Sequence, residues 1–308
     1  TPALQSFSAT DRALYVPLYF SYMQSPKNAF PIVAVTHDPI RYRITLRGRS
    51  SLIVALDMST PGTPVPISKA DPLLNPTTAV TGGILQSAYL TMELVFLAKP
   101  EQASYTSTAF KKYYEYTQVK AGKMVRAGDK TVTIDNLGFN HRVVQLSAFY
   151  RAAAKLADNV GEYFNFSTPL PLREQPGSIR PTLVPSTVVG VQRELNPFEN
   201  IEVRYGSDPR VSRQGVYWHE VVPHMRHRRI DDSFSCVYSW ATEPECGSCP
   251  TGAATLGRWP QTPMVFTFID SAEVGGGIAG DGEIRVYGRT QNFYKIVGGR
   301  LALLWSAV

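Results

Sequence analysis

Hydrophobic and polar residues alternate with period two along much of this chain. Arg41–Arg47 sets Tyr42, Ile44 and Leu46 against Arg41, Arg43, Thr45 and Arg47. Asn200–Tyr205 does the same with Ile201, Val203 and Tyr205. Lys130–Asp135 alternates Val132 and Ile134 with Thr131 and Thr133, and Glu283–Arg289 alternates Ile284 and Val286 with Arg285 and Tyr287. Neighbouring side chains of a strand point to opposite faces, so this pattern predicts antiparallel strands with one buried and one wet face. Further strands are expected at Leu52–Leu56, Tyr89–Leu97, Val143–Tyr150, Val216–Val222, Phe234–Trp240, Met264–Ile269 and Leu301–Trp305. Several of these are apolar on both faces, which suits strands between two sheets or beneath a neighbouring subunit.

Helix is scarce. Tyr150–Asp158 has the best propensity, through three consecutive alanines, and Thr106–Tyr116 offers another short turn or two. Many strands with almost no helix predict an all-β sandwich or barrel. Two proline-rich stretches interrupt the pattern. Ser59–Thr78 holds Pro61, Pro64, Pro66, Pro72 and Pro76, and Ser167–Glu199 holds Pro169, Pro171, Pro176, Pro181, Pro185 and Pro197. Proline cannot donate to a sheet ladder, so both are expected to be long loops, either arms between subunits or tolerated surface insertions.

Composition changes this picture little. The 308 residues are 44% hydrophobic and 18% charged, enough to bury a core. No apolar run reaches the length of a membrane-spanning helix. The net charge of +6 is spread along the chain and serves solubility more readily than nucleic-acid binding. Three cysteines do not make a disulfide framework, and this fits folding in a reducing compartment. The chain starts at Thr1, which suggests a processed product or a piece of a longer polypeptide.

An ordered set of segments then carries a family resemblance. Val16-Pro17-Leu18-Tyr19-Phe20 is followed by a polar link and by Ala29-Phe30-Pro31-Ile32-Val33-Ala34-Val35, with His37 to Ile44 after it. Val237-Tyr238-Ser239-Trp240-Ala241-Thr242-Glu243-Pro244-Glu245 precedes Cys249-Pro250-Thr251-Gly252 and Ala254-Thr255-Leu256-Gly257-Arg258. Asn292 to Ser306 closes the set. In content and order these blocks resemble the major capsid proteins of nucleocytoplasmic large DNA viruses. Two departures stand out: the segment at Ala254–Arg258 has one residue more than the family's, and the region between the blocks matches weakly.

The resemblance implies an antiparallel jelly-roll β-sandwich, the second of two rolls in tandem. Residues 1–50 would be the final strands of the first roll, and residues 51–308 the second roll with long proline-rich loops. It also implies a virion protein assembled in the host cytoplasm, whose homotrimers form pseudo-hexameric capsomers of an icosahedral shell. Partners would be neighbouring capsomers, minor capsid proteins and an inner membrane beneath the shell, with no specific nucleic acid binding. Tyr19, Phe20, Tyr113, Tyr114, Tyr116 and Trp218 are candidate interface anchors, though each is more readily read as core. Two other readings stay open: a minor or penton-type single jelly-roll capsid protein, and a carbohydrate-binding β-sandwich module.

Candidate chemistry is sparse. Cys246-Gly247-Ser248-Cys249 is a C-x2-C with His219, His224 and His227 upstream, but a second pair is missing, and an internal disulfide or two free thiols suit it better than zinc. Cys236 reads as core. A metal-binding cupin needs an H-x-H, which is absent, and His37 and His141 stand apart. Gly275–Gly282 lacks the phosphate-loop pattern and is expected to be a flexible hairpin loop between Phe268 and Glu283. Asn165-Phe166-Ser167 is a formal glycosylation site, and His224–Arg229 is a basic cluster better suited to a solvated edge than to an anionic neighbour. No catalytic, cofactor-binding or metal-binding residues are expected, and the protein is not expected to be an enzyme.

Overall fold

A computed structural model describes residues 16–18, 20–23, 28–38, 40–45, 56–57, 65–66, 88–153, 166, 168–170, 193–227, 234–246, 249–269, 277–278 and 280–304. In chain order the strands are β1 (Leu56–Asp57), β2 (Val65–Pro66), β3 (Phe110–Val119), β4 (Lys123–Val125), β5 (Thr131–Ile134), β6 (Arg142–Ala152), β7 (Thr168–Leu170), β8 (Arg193–Leu195), β9 (Phe198–Tyr205), β10 (Asp208–Gln214), β11 (Cys236–Ser239), β12 (Ala254–Thr255), β13 (Met264–Phe268), β14 (Gly282–Val297) and β15 (Arg300–Leu303). Helix α1 (Lys99–Ser107) precedes β3. A wide helical turn at Tyr217–Val221 leads into helix α2 (Val222–His227).

Two antiparallel sheets form the body. One runs β10-β9-β13-β5, and the other runs β3-β14-β6-β11, with β4, β12 and β15 added at the flanks. The eight main strands, counted in chain order from β3, lie 1-8-3-6 in one sheet and 2-7-4-5 in the other. Every step between consecutive main strands crosses between sheets except β9 to β10, which is a hairpin. This interleaving is a jelly roll: two Greek keys wrapped into a two-sheet sandwich.

The core sits between the sheets. Val132, Ile134, Ile201, Val203, Met264 and Phe266 from one sheet meet Leu146, Ala148, Tyr150, Ile284 and Val286 from the other. The Tyr150 and Phe268 rings touch across the sandwich at 5.5 Å. The predicted alternation holds at β5, β9, β13 and the first half of β14, where the inward residues are buried except Tyr205, half-buried at the end of β9.

β14 is the spine. Its 16 residues span roughly 50 Å at the rise of a strand. One edge pairs with β6 and then β15, the other with β4 and β3. The face that meets the opposite sheet through Ile284 and Val286 continues to Tyr294 and Ile296. There its cover is the segment around residues 30–35, through Phe30, Ala34 and Val35. The β14–β15 turn, Gly298-Gly299, has φ of 56° and 77°, the two left-handed residues of a tight hairpin turn. The Gly299 carbonyl accepts the N–H groups of Thr36 and His37, and Leu301 N–H donates to Asp38 Oδ2 at 2.9 Å. The N-terminal segment is thereby fastened to the tip of the last hairpin.

Several expectations are corrected. Val216–Val222 is helical: Gly215, Trp218, His219, Val222 and Pro223 are buried at helical spacing, a period masked by the apolar neighbours between them. Tyr150–Ala152 completes β6, because the ladder to β14 outweighs alanine's helix propensity, and residues 154–158 lie outside the described set. Helix α1 ends at Ser107, so most of Thr106–Tyr116 is strand β3. Arg41–Thr45 and Tyr89–Leu97 carry no regular secondary structure and take part in no described sheet, since alternation supplies a face but not a partner. The glycine-rich stretch joins β13 to β14 in opposite sheets and is no hairpin. Within it Ile278 is buried and exchanges backbone hydrogen bonds with the 128–129 turn. Most of the two proline-rich stretches lies outside the described residues, which show only the β1–β2 and β7–β8 pairs and the strands entering β9 there.

Candidate assembly surface

Among the described residues, a run just before the roll is the most apolar exposed feature. From Tyr89 to Phe96, Tyr89 is 89% exposed, Val95 75% and Phe96 90%, while Leu90, Met92 and Leu94 are about half exposed. The two aromatic rings alone present roughly 300–450 Å². A monomer seldom shows a contiguous apolar patch beyond a few hundred Å², and a stable interface buries about 800 Å² per partner. Helix α1 follows this segment, with Pro100 in its first turn and the Glu101 carboxylate accepting the Ala98 N–H, and it buries no residue of its own.

A second apolar run lies along β15, whose four residues are all exposed; Leu301 and Leu303 leave 39% and 52% of their surface open. β10, the free edge of the other sheet, is by contrast guarded by Pro209, Arg210 and Arg213. Val16, Phe20, Ile32, Ile40 and Ile44 add further exposed apolar side chains on the N-terminal segment.

The interface candidates divide. Trp218 and Tyr113 are buried, at 0% and 7% exposure, and Tyr114 and Tyr116 are half-buried. Phe20 is exposed, and Tyr19 lies outside the described residues. Tyr114, Tyr116 and Phe20 belong to a ladder the sequence did not reveal. Phe20, Tyr22, Phe30, Tyr294, Tyr114, Tyr116 and His141 follow one another at centroid spacings of 5.5–6.0 Å. Burial pushes the Tyr114 phenol up to about 12 and also raises Tyr294 and Tyr22, so these three phenols stay neutral. On the opposite face of β3 and β14, Glu115 pairs with Arg289 at 2.5 Å and accepts from the Tyr113 hydroxyl, and its backbone N–H donates to Ser21 Oγ. Sequence reasoning missed this buried cluster; its only signal was an acid among strand aromatics.

The remaining candidates do not converge. Cys246 and Cys249 form a disulfide, and Cys236 is buried with its thiol pushed up to about 12 by burial. His219 is buried against the Phe234 ring, His227 pairs with Glu245 at 2.5 Å, and His224 is exposed. His141 packs on Tyr116, and His37 sits at the Gly299 turn. Among the described residues no group of three or more His, Cys, Asp or Glu side chains is placed to hold a metal ion, and no helix is long and apolar enough to cross a membrane. Asn165 and residues 228–229 of the basic cluster lie outside the described residues.

Against solved structures, the chain aligns with the PBCV-1 virus capsid at a TM-score of 0.51 and 18% identity, over 68% of this chain and 55% of that one. The fold is that of the PBCV-1 capsid protein. The crystal structure of PBCV-1 VP54, fitted into a reconstruction of the virophage Sputnik, aligns at 0.50 with the same identity and coverage. The Faustovirus major capsid protein aligns at 0.48 and 11% identity, over 66% of this chain and 36% of that one. The chain thus spans about half the length of the PBCV-1 chains it matches. No protein-family model matches the sequence, and no curated protein does.

Proposed function

We propose that this chain is a major capsid protein of the large DNA virus family, a structural shell protein and not an enzyme. The observation that carries this is the complete jelly-roll strand order, found on a chain whose sequence blocks resemble that family. On this reading residues 1–50 close a first roll and residues 51–308 are the second. The alternating Arg41–Thr45, which has no sheet partner among the described residues, would then find one in that first roll. Three chains form a pseudo-hexameric capsomer that contacts its neighbours, minor capsid proteins and an inner membrane in the virion, after assembly in the host cytoplasm.

The exposed Tyr89–Phe96 segment supports self-association, because two aromatic rings left in water are costly and their burial against another copy is favourable. Light scattering on the purified protein tests this. A mass near three times 34.1 kDa is expected, falling towards the monomer in Phe96→Asp with the fold intact by circular dichroism. A monomer at tens of micromolar would refute the capsomer reading, and a pentamer would favour the penton-type alternative.

A further inference from the structure

Among the described residues the sandwich is not closed on all sides. β10 and β11 are edge strands of opposite sheets, and no hydrogen bonds join them. Between them, at the end carrying the β9–β10 turn, lies an open groove of about 690 Å³. That volume falls within the usual range for a small-ligand site, about 300–1,000 Å³. Four aromatic residues, Tyr205, Tyr238, Trp240 and Trp259, and two cations, Arg210 and Arg258, line it, and no Asp or Glu does.

The wall is pre-built. Tyr205 stacks on Trp259 at 5.6 Å, and Tyr238 meets Trp240 edge-on at 5.1 Å. Tyr238 is tied in turn to the buried Trp218. Arg210 lies over the Tyr205 ring at 5.4 Å, which holds its guanidinium at the groove. Arg213 and Arg226 lie close enough to act on the Tyr238 phenol, while Asp208 stands opposite Tyr205 in the β9–β10 ladder. Trp259 and Arg258 remain exposed.

This combination selects its ligand. Electron-rich ring faces attract the weakly positive C–H faces of a sugar ring, and arginine forks match carboxylate or sulfate oxygens. Single-stranded nucleic acid also uses aromatic rings and cations, but it needs a charged track several nucleotides long, whereas this groove is short. We propose that the groove between β10 and β11 binds an acidic saccharide of a few units, with Trp259 as the stacking platform and Arg210 and Arg258 as the anion clamp. The site is independent of the assembly reading.

Calorimetry on the full chain tests it, with trigalacturonate as the carboxylate probe, a heparin-derived tetrasaccharide as the sulfate probe, and maltotriose and a ten-residue oligothymidine as comparisons. Binding of at least one acidic saccharide is expected, with maltotriose at least tenfold weaker. Trp259→Ala and Arg258→Gln should each weaken it tenfold or more. Both residues are exposed, so the melting temperature should hold. Lys123→Gln, an exposed cation on β4 at the opposite end of the roll, should leave it unchanged. The proposal is overturned if neither acidic probe binds, if the groove variants bind as the parent does, if Lys123→Gln weakens binding equally, or if oligothymidine binds more tightly at the same residues. The oligomer mass, read on the same samples, reports separately on assembly.

Discussion

The docking of the N-terminal segment on the last hairpin predicts a difference between two adjacent glycines. Gly298 and Gly299 both have positive φ, so replacing either with alanine costs about 1–2 kcal/mol for the left-handed conformation. Their surroundings differ. A β-carbon at 298 meets nothing within 4 Å, whereas one at 299 would lie 2.1 Å from Thr36 Oγ1 and 3.0 Å from His37 Cδ2. Gly299→Ala must therefore also displace residues 36–38. That loses the Thr36 and His37 bonds to the Gly299 carbonyl and the Asp38 bond to Leu301, each worth about 1 kcal/mol net. The expected costs are about 1–2 kcal/mol for Gly298→Ala and about 3–5 kcal/mol for Gly299→Ala. With a urea slope of about 3 kcal/mol per molar, the midpoints should fall by roughly 0.5 M and about 1–1.7 M. Hydrogen exchange at the Thr36 and His37 amides should accelerate in Gly299→Ala and stay slow in Gly298→Ala. Equal midpoints, or unchanged exchange in both variants, would refute the docking.

Three further outcomes follow from the packing. Phe266→Ala removes a fully buried ring from the centre of the sandwich and should cost about 3–5 kcal/mol by urea denaturation. Reducing the Cys246–Cys249 disulfide, which closes a loop of only a few residues, should cost no more than about 2 kcal/mol in the same assay, with the β-rich circular dichroism retained. Burial raises the Cys236 thiol to about 12 in the folded state against 9.0 for the free group, so the unfolded chain loses this proton first as pH rises. Its contribution to stability is present below pH 9 and disappears between pH 9 and 12; Cys236→Ala should flatten that part of the pH–stability curve, and a thiol reagent at pH 8 should leave native Cys236 unmodified.

Legibility tracked how local the information was. Val132/Ile134, Ile201/Val203 and Ile284/Val286 announced their strands because a half-buried strand writes its two faces into successive residues. Val216–Val222 misled because Val216, Trp218 and Val222 fit one face of a strand as well as one side of a helix, and only burial of Trp218, His219 and Val222 separates the two periods. Ala152 misled because local helix propensity is a fraction of a kcal/mol against a ladder shared with β14. The Cys246–Cys249 pair was legible as disulfide or thiols, and geometry chose the disulfide.

By itself, then, the order of residues determined the antiparallel all-β class and the core faces of most strands. Tertiary structure alone decided that β14 is shared by two cores, that Glu115 meets Arg289 across 174 positions, and that Tyr205, Arg210 and Trp259 form one groove wall. Alternation specifies which side of a strand is apolar, but carries no information about which strand lies beside it. Partners distant in sequence are selected only when the whole sandwich closes, because each pairing is stable only with the others in place.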